Sequence, residues 1–329
     1  MNINCKYFLV LAAAILFVTT NGCTKAPSSS DIVEVSAGTL NDEIFKFELN
    51  LGNGIISQNS PRVIAGNLTG IKTPIDIETS GSNSLFVLSQ GNLFLNNGSI
   101  RPSIRIFGDT ASGNMAPERV IDITDSPNFK PVGLAITRDF FFVSYFSDDP
   151  PSDSSKIIRF DINGNRTSIV LPLRSLGDIE ITRDNSTLIA ADPKGNRVLR
   201  FSLNRNFEVQ PAFESIGLNE PNSIALTDSS KILVFSNWSS NHPSLNVFPP
   251  MASGNSAPLQ SIWGFCGEGK VFSAPYGLAV AEMFDLRIIA ACSMNSLVTF
   301  QMNANGCAEP VQRIELSSPV SVAFDRVRF

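Results

Sequence analysis

Residues 188–201 read Leu-Ile-Ala-Ala-Asp-Pro-Lys-Gly-Asn-Arg-Val-Leu-Arg-Phe. An apolar run from Leu188 to Asp192 meets a Pro-Lys-Gly-Asn turn, and a second run then ends in Phe201. Two short runs joined through Gly and Asn are the pattern of a β-hairpin. Phe-ended runs recur along the chain: Ile44 to Phe47, Ser103 to Phe107, Lys156 to Phe160, Arg197 to Phe201, Leu245 to Phe248 and Leu297 to Phe300. Successive terminal Phe residues stand 60, 53, 41, 47 and 52 positions apart. A period of that size means one supersecondary unit copied several times.

Three further strand types accompany each Phe-ended run in a constant order. The first is entered through Pro or Gly, at Pro74, Pro131, Gly177, Pro221, Pro275 and Pro319. Pro at the first position of a strand forfeits no ladder N–H. The second is strongly apolar, at 85–89, 140–145, 188–192, 232–237 and 287–292. The Phe-ended run is third. The fourth covers 62–64, 119–121, 168–170, 212–216, 259–263 and 311–316. Beyond the N-terminal leader no long helical period is present. Four strands repeated six times predict an all-β fold, a six-bladed β-propeller of four-stranded antiparallel blades. The chain is expected to stop at Phe329 inside the second strand of its last unit. Glu43 to Phe47 and Pro61 to Ala65 then supply the third and fourth strands, with Ile32 to Val35 added to the same blade. One blade closed by N- and C-terminal strands leaves the ring without open edges.

The 188–201 segment resembles the NHL repeat, whose core reads apolar-x-V-A-D-x-x-N-x-R-V-x-x-F. The loops Ala111-Ser-Gly-Asn-Met-Ala-Pro117 and Ala252-Ser-Gly-Asn-Ser-Ala-Pro258 resemble a loop of bacterial NHL-like propeller lipoproteins. The resemblance spans roughly residues 40–329 and implies a propeller. It implies no activity, because propellers host enzymes, receptors and scaffolds.

The 329 residues carry a net charge of −5 with 17% charged residues and no Lys/Arg run. Nothing in that balance suits nucleic acid. Residues 1–22 read as a signal peptide: Lys6 precedes an uninterrupted apolar stretch of 11 residues, Phe8 to Val18. A membrane span needs about 20. Gly22 directly before Cys23 resembles a bacterial lipobox of the relaxed kind seen in spirochaetes, which implies diacylglyceryl modification of Cys23. The plain alternative is an ordinary signal peptide cut nearby. Residues 23–31 then form a tether, and 32–329 the propeller domain. The protein is accordingly expected as an exported monomer, membrane-anchored through its N-terminal lipid in the bacterial cell envelope, at the outer membrane.

Cys5 leaves with the leader and Cys23 is taken by lipid, so Cys266, Cys292 and Cys307 remain in an oxidising compartment. Cys266 and Cys292 fall on one predicted face, where a bridge is plausible. Cys307 falls on the opposite face and is expected to be free. A Cys292–Cys307 bridge is the alternative.

Strand order puts the loop entering the first strand and the turn after the second on one face. The candidate binding face therefore contains Asp76, Gln90, Asp178, Asp192, Asn222, Asn237, Trp238 and His242. Asp192 and Asn196 suit a turn, since Asx side chains bond nearby backbone. Asp76, Asp178 and Asn222 hold equivalent positions in three units. Their oxygens could converge on Ca²⁺, as implied by similarity to propeller lactonases of the gluconolactonase type. Equivalent positions elsewhere carry Val, Tyr and Val, and no Glu opens the first strand. His242 is the single histidine, too few for a Ser-His-Asp triad or a His-rich metal site. The leading expectation is a non-enzymatic binding or scaffold module for a protein or glycan partner, with no cofactor. The alternatives are a Ca²⁺-dependent lactonase-type hydrolase and a structural envelope protein without a small ligand.

Overall fold

A computed structural model describes residues 32–324 except 51–54, 81–83, 92–100, 126–127, 148–153, 168–174, 204–207, 215–217, 237–242, 267–268, 271–276, 284–285 and 294. The leader, the tether, Asn237, Trp238, His242 and the expected outer strand at 168–170 lie outside the described residues. Among the described residues all regular structure is β.

The strands form small antiparallel sheets that follow one another along the chain. The first blade pairs Pro74–Thr79, Leu85–Ser89, Ser103–Phe107 and Arg119–Asp122 in that order. The second has three strands among the described residues, Phe129–Ile136, Phe140–Ser147 and Ser155–Asp161. The third runs Ile179–Ile181, Thr187–Asp192, Arg197–Ser202 and Glu208–Glu214, with Gly254–Asn255 added at its outer edge. The fourth is Ile224–Leu226, Ile232–Ser236, Ser244–Phe248 and Gln260–Trp263. The fifth is Leu278–Met283, Leu286–Ser293, Ser296–Gln301 and Gln312–Glu315. A closing blade combines Pro319–Phe324 with Ile32–Thr39, Glu43–Asn50 and Ile55–Ile64. Five sheets thus carry four or more strands, and the second blade carries three among the described residues. The first strand of each blade touches the first strand of the next, and the contacts return from the closing blade to the first, so these strands surround a central channel.

The closing blade departs from expectation in one respect. Its second strand is Ile32–Thr39 rather than the chain's last residues, with Val35 opposite Phe324 and Thr39 opposite Pro319. Three N-terminal strands therefore clasp one C-terminal strand. The alternation of Val33, Val35 and Ala37, all buried, explains why: the segment has its own apolar face to bury.

The terminal Phe of each third strand lies between neighbouring blades. Phe107 packs with Ile44, Ile64 and Ala323 of the closing blade. Phe160 packs against first-blade residues such as Phe86 and Ile104. Phe201, Phe248, Phe300 and Phe47 occupy the next seams in turn. All are at least 96% buried, the least buried being Phe160 with 4% exposure.

The two Ala-Ser-Gly-Asn loops are backbone latches. Gly113 donates to the Val63 carbonyl at 2.6 Å and accepts from the Ala65 N–H at 3.2 Å. It thereby ties the first blade to the outer strand of the closing blade. Gly254 pairs in parallel with Phe213 across the next such seam. A third latch lacks the Ala-Ser-Gly-Asn spelling: Gly306 donates to Ser261 at 2.6 Å and accepts from Trp263 at 2.9 Å. All three glycines have positive φ, at 73°, 54° and 61°. A Cβ at any of them would meet nothing within 4 Å, so the backbone angle, and not crowding, calls for Gly.

The third latch also corrects a cysteine assignment. Cys307 follows Gly306 and is disulfide-bonded, not free. The latch carries this loop off its own blade and onto the Ile262–Trp263 segment. The side chains of Cys266 and Cys292, the expected pair, lie outside the described residues.

Two measurements follow. Gly113→Ala should cost about 1 kcal/mol and Gly113→Asn less, because Asn tolerates left-handed backbone. Equal losses in chemical denaturation would show that crowding matters instead. Alkylation of the denatured, unreduced protein should leave Cys307 unlabelled, and a labelled Cys307 peptide in mass spectrometry would contradict the bridge.

Candidate functional site

The sequence Asp-Ile-Glu occurs at 76–78 and again at 178–180, each at the first strand of a blade. Successive side chains alternate across a strand, so each Ile packs between blades while Asp and Glu share the channel side. Ile77 and Ile179 are buried accordingly, and Asp76, Glu78, Asp178 and Glu180 all line the channel. A register shift between Pro74 and Asp76 marks a bulge at the entry to the first of these strands. Such bulges re-aim side chains.

Each aspartate is fixed by two backbone donors. One oxygen of Asp76 accepts from the N–H of Ile77 at 2.8 Å, and the other from Leu134 N–H of the second blade at 2.6 Å. Asp178 repeats the arrangement with Ile179 at 2.8 Å and Ile224 of the fourth blade at 2.9 Å. Each carboxylate therefore joins the first strands of two adjacent blades. Gly177 permits that closeness, since a Cβ there would stand 2.6 Å from the Asn222 carbonyl oxygen.

Among the described residues, two cavities lie along the channel. At the entry end of the first strands a mouth of about 350 Å³ has walls from Ile75, Val132, Phe146 and Leu176, with Lys194, Glu220 and Asn222 also lining it. At the opposite end a cavity of about 250 Å³ includes Glu78, Glu180, Arg183 and Asp228. Arg183 and Asp228 form an ion pair there at 3.3 Å. Asp76, Asp178, Leu278 and Val322 line both cavities, so they form the waist between them.

Burial at the waist raises the affinity of both carboxyls for protons. Burial holds Asp76 well above the ordinary carboxylate range, repulsion from Asp178, Glu78 and Glu180 adds to it, and the Leu134 N–H opposes it. Burial lifts Asp178 to about 7, against the N–H groups of Ile224 and Ile179.

The remaining expected site residues separate. Asn222 lines the mouth, with its N–H bonded to Phe235 at 2.9 Å and its carbonyl to Asp178 N–H at 3.0 Å. Asp192 is a turn anchor, 1% exposed. It accepts from Ser175 at 2.7 Å, from Gly195 N–H at 3.0 Å and from Arg197 at 2.8 Å. Asn196, at φ 52°, accepts from Glu220 N–H of the next loop at 2.9 Å. Gln90 binds the Thr73 carbonyl through its N–H at 3.1 Å and lines neither cavity. The apolar mouth walls were not anticipated. The doubled Asp-Ile-Glu was the available signal for the two glutamates.

The expected Ca²⁺ ligands Asp76, Asp178 and Asn222 do meet around one channel. Their donor set fits a cation poorly, because both oxygens of each aspartate already face backbone N–H groups. Among the described residues no group of three or more His, Cys, Asp or Glu is placed to hold a metal ion.

No family model and no curated protein sequence matches the chain. Solved structures do. A nidogen/laminin complex matches with a TM-score of 0.61 at 12% identity, covering 90% of this chain and 99% of the other. A putative 6-phosphogluconolactonase from Bacteroides uniformis matches at 0.59 and 12% identity, covering 90% and 100%. The periplasmic gluconolactonase PpgL of Pseudomonas aeruginosa matches at 0.56 and 13% identity, covering 91% and 100%. At such identities the likeness is one of fold, and it agrees with a β-propeller.

A pH test isolates the waist. A carboxyl whose folded pKa is raised binds more protons folded than unfolded. Its stabilising effect is present below the unfolded value and is lost as pH rises through about 7. The melting temperature of wild type relative to Asp178→Asn should therefore fall between pH 4 and pH 7.5, values spanning roughly the unfolded and folded pKa. A difference that stays flat or rises would contradict the raised Asp178.

Proposed function

We propose that this chain is a lipid-anchored propeller of the bacterial cell envelope that acts as a non-enzymatic binding or scaffold module, taking a protein or glycan partner at its channel mouth. The observation that carries this reading is the character of the mouth. It is a concave site of about 350 Å³ that sets apolar walls beside Asp76, Asp178, Lys194, Glu220 and Asn222, and ligand pockets in general combine apolar walls with placed polar groups. Its deepest polar groups are pinned by backbone donors, so they shape the site rather than swing. The lipobox-like Gly22-Cys23 supports the anchor, and the absence of a Lys/Arg run argues against nucleic acid. The fold likeness to a protein solved as a nidogen/laminin complex is compatible with a binding role.

A second reading is a lactonase-type hydrolase. The raised Asp178 carboxyl favours it, since a group titrating near neutrality can serve as a general acid or base. The likeness in fold to two gluconolactonase-type structures is consistent with it. Asp178 would take a proton from water in the mouth. No step through Ca²⁺ is derived, given the donor set.

Val132 lies on the mouth wall, and Val132→Arg places a long cation in the cavity. Glycan arrays, and a photo-crosslinking residue at Asn222 in living cells, should each be read with and without that change. Binding or crosslinking that drops at least about tenfold supports the module reading. Gluconolactone hydrolysis that depends on Asp178, with no binding signal, would replace it by the second.

A further inference from the structure

We infer that the anchored protein stands with its larger channel mouth facing away from the membrane and its smaller, Glu-lined opening facing the bilayer. The inference rests on the lipid anchor at Cys23 proposed above and adds to it the direction of the binding face.

The argument starts from where the chain enters the ring. Ile32 begins the second strand of the closing blade, and that strand runs antiparallel to Pro319–Phe324. Val35 lies opposite Phe324 and Thr39 opposite Pro319, so the strand starts beside the far end of the first strand. That end is the one away from the mouth. Val33 and Phe324 both line the smaller cavity, and neither lines the mouth. The anchored segment therefore leaves the propeller at the smaller opening.

Length then prevents reversal. The step from Cys23 to Ile32 spans nine residues, at most about 30 Å when fully extended. For the mouth to rest on the bilayer, the chain must first pass outward beyond two more strands, about 10 Å at the spacing of neighbouring strands. It must then run the depth of the ring along the eight-residue strand Glu43–Asn50, about 26 Å at a strand's rise. That path is longer than the tether. Turning the ring over is thus out of reach without unfolding the closing blade.

Glu78, Glu180 and the Arg183–Asp228 pair surround the smaller opening, beside apolar side chains such as Val280 and Phe324.

The experiment uses full-length lipidated protein on phosphatidylcholine vesicles that carry a nitroxide on the lipid headgroup. A fluorescent amino acid replaces Asp228 at the smaller opening or Asn219 on the loop entering the same blade at the mouth. Both positions are exposed. The Asp228 label should lose its fluorescence on vesicles while the Asn219 label keeps it. Equal quenching, or quenching of Asn219 alone, in protein whose vesicle flotation is lost with Cys23→Ala overturns the orientation and leaves the anchor standing. Flotation unchanged by Cys23→Ala overturns the anchor, and the orientation with it.

Discussion

Each blade rests on one aromatic side chain at the seam with its neighbour. A Phe at or near the end of every third strand is buried against the preceding blade, as Phe107 is against Ile44 and Ile64 of the closing blade. A Phe removes some 150–250 Å² from water, more than any aliphatic side chain at one position. A four-stranded sheet that is apolar on both faces leaves a large apolar surface in water unless both faces are covered. Each blade therefore needs two neighbours, and only a closed ring gives every blade two. That requirement makes the closure of the last blade decisive. It is made by pairing Ile32–Thr39 with Pro319–Phe324, the first described strand with the last.

The seam beside that closure carries more than apolar contact. Lys46, on the closing blade, is buried between Glu34 and the Asp109 carbonyl, and Arg62 joins the same two partners. Removing one member of a buried ion pair leaves the other charge uncompensated, which is costly. The cluster does not make closure strong in itself. It makes misregistered closure worse, because a slip of one residue would turn Lys46 to the opposite face. The Gly113 latch grips Val63 and Ala65 on the same outer strand. Register at the one blade built from distant segments is thus fixed by hydrogen bonds and charge as well as by volume.

The strands were legible because their signals are local. Leu85–Ser89 and Ser103–Phe107 coincide with their expected bounds, since apolar β-branched runs between turn residues have one stable reading. The second strand of the closing blade was misplaced, because its partner is nearly the whole chain away and no local pattern names it. At Cys307 the leading expectation of a free thiol gave way to a bridge, in a loop that the latch moves to another blade, which strand order alone does not show. At the site, Asp76 and Asp178 could be placed at the channel from strand order and their equivalent positions in the repeat. Their second bonds, to Leu134 and Ile224, depend on how closely neighbouring blades approach. That distance is set by residues such as Gly177, whose spelling gives no hint of it.

Those second bonds join the site to the ring. Asp76 and Asp178 are walls of the channel and, in the same atoms, links between blades one and two and between three and four. A ligand that changes their protonation from the mouth side must change the strength of the hydrogen bonds that hold the first strands together, because a charged acceptor bonds an N–H more strongly than a neutral one. By linkage, whatever strengthens those bonds is itself bound more tightly by a well-closed ring. The waist is therefore the place where occupancy of the channel and integrity of the fold are coupled, although the blades that it joins are held chiefly by phenylalanines buried at the seams.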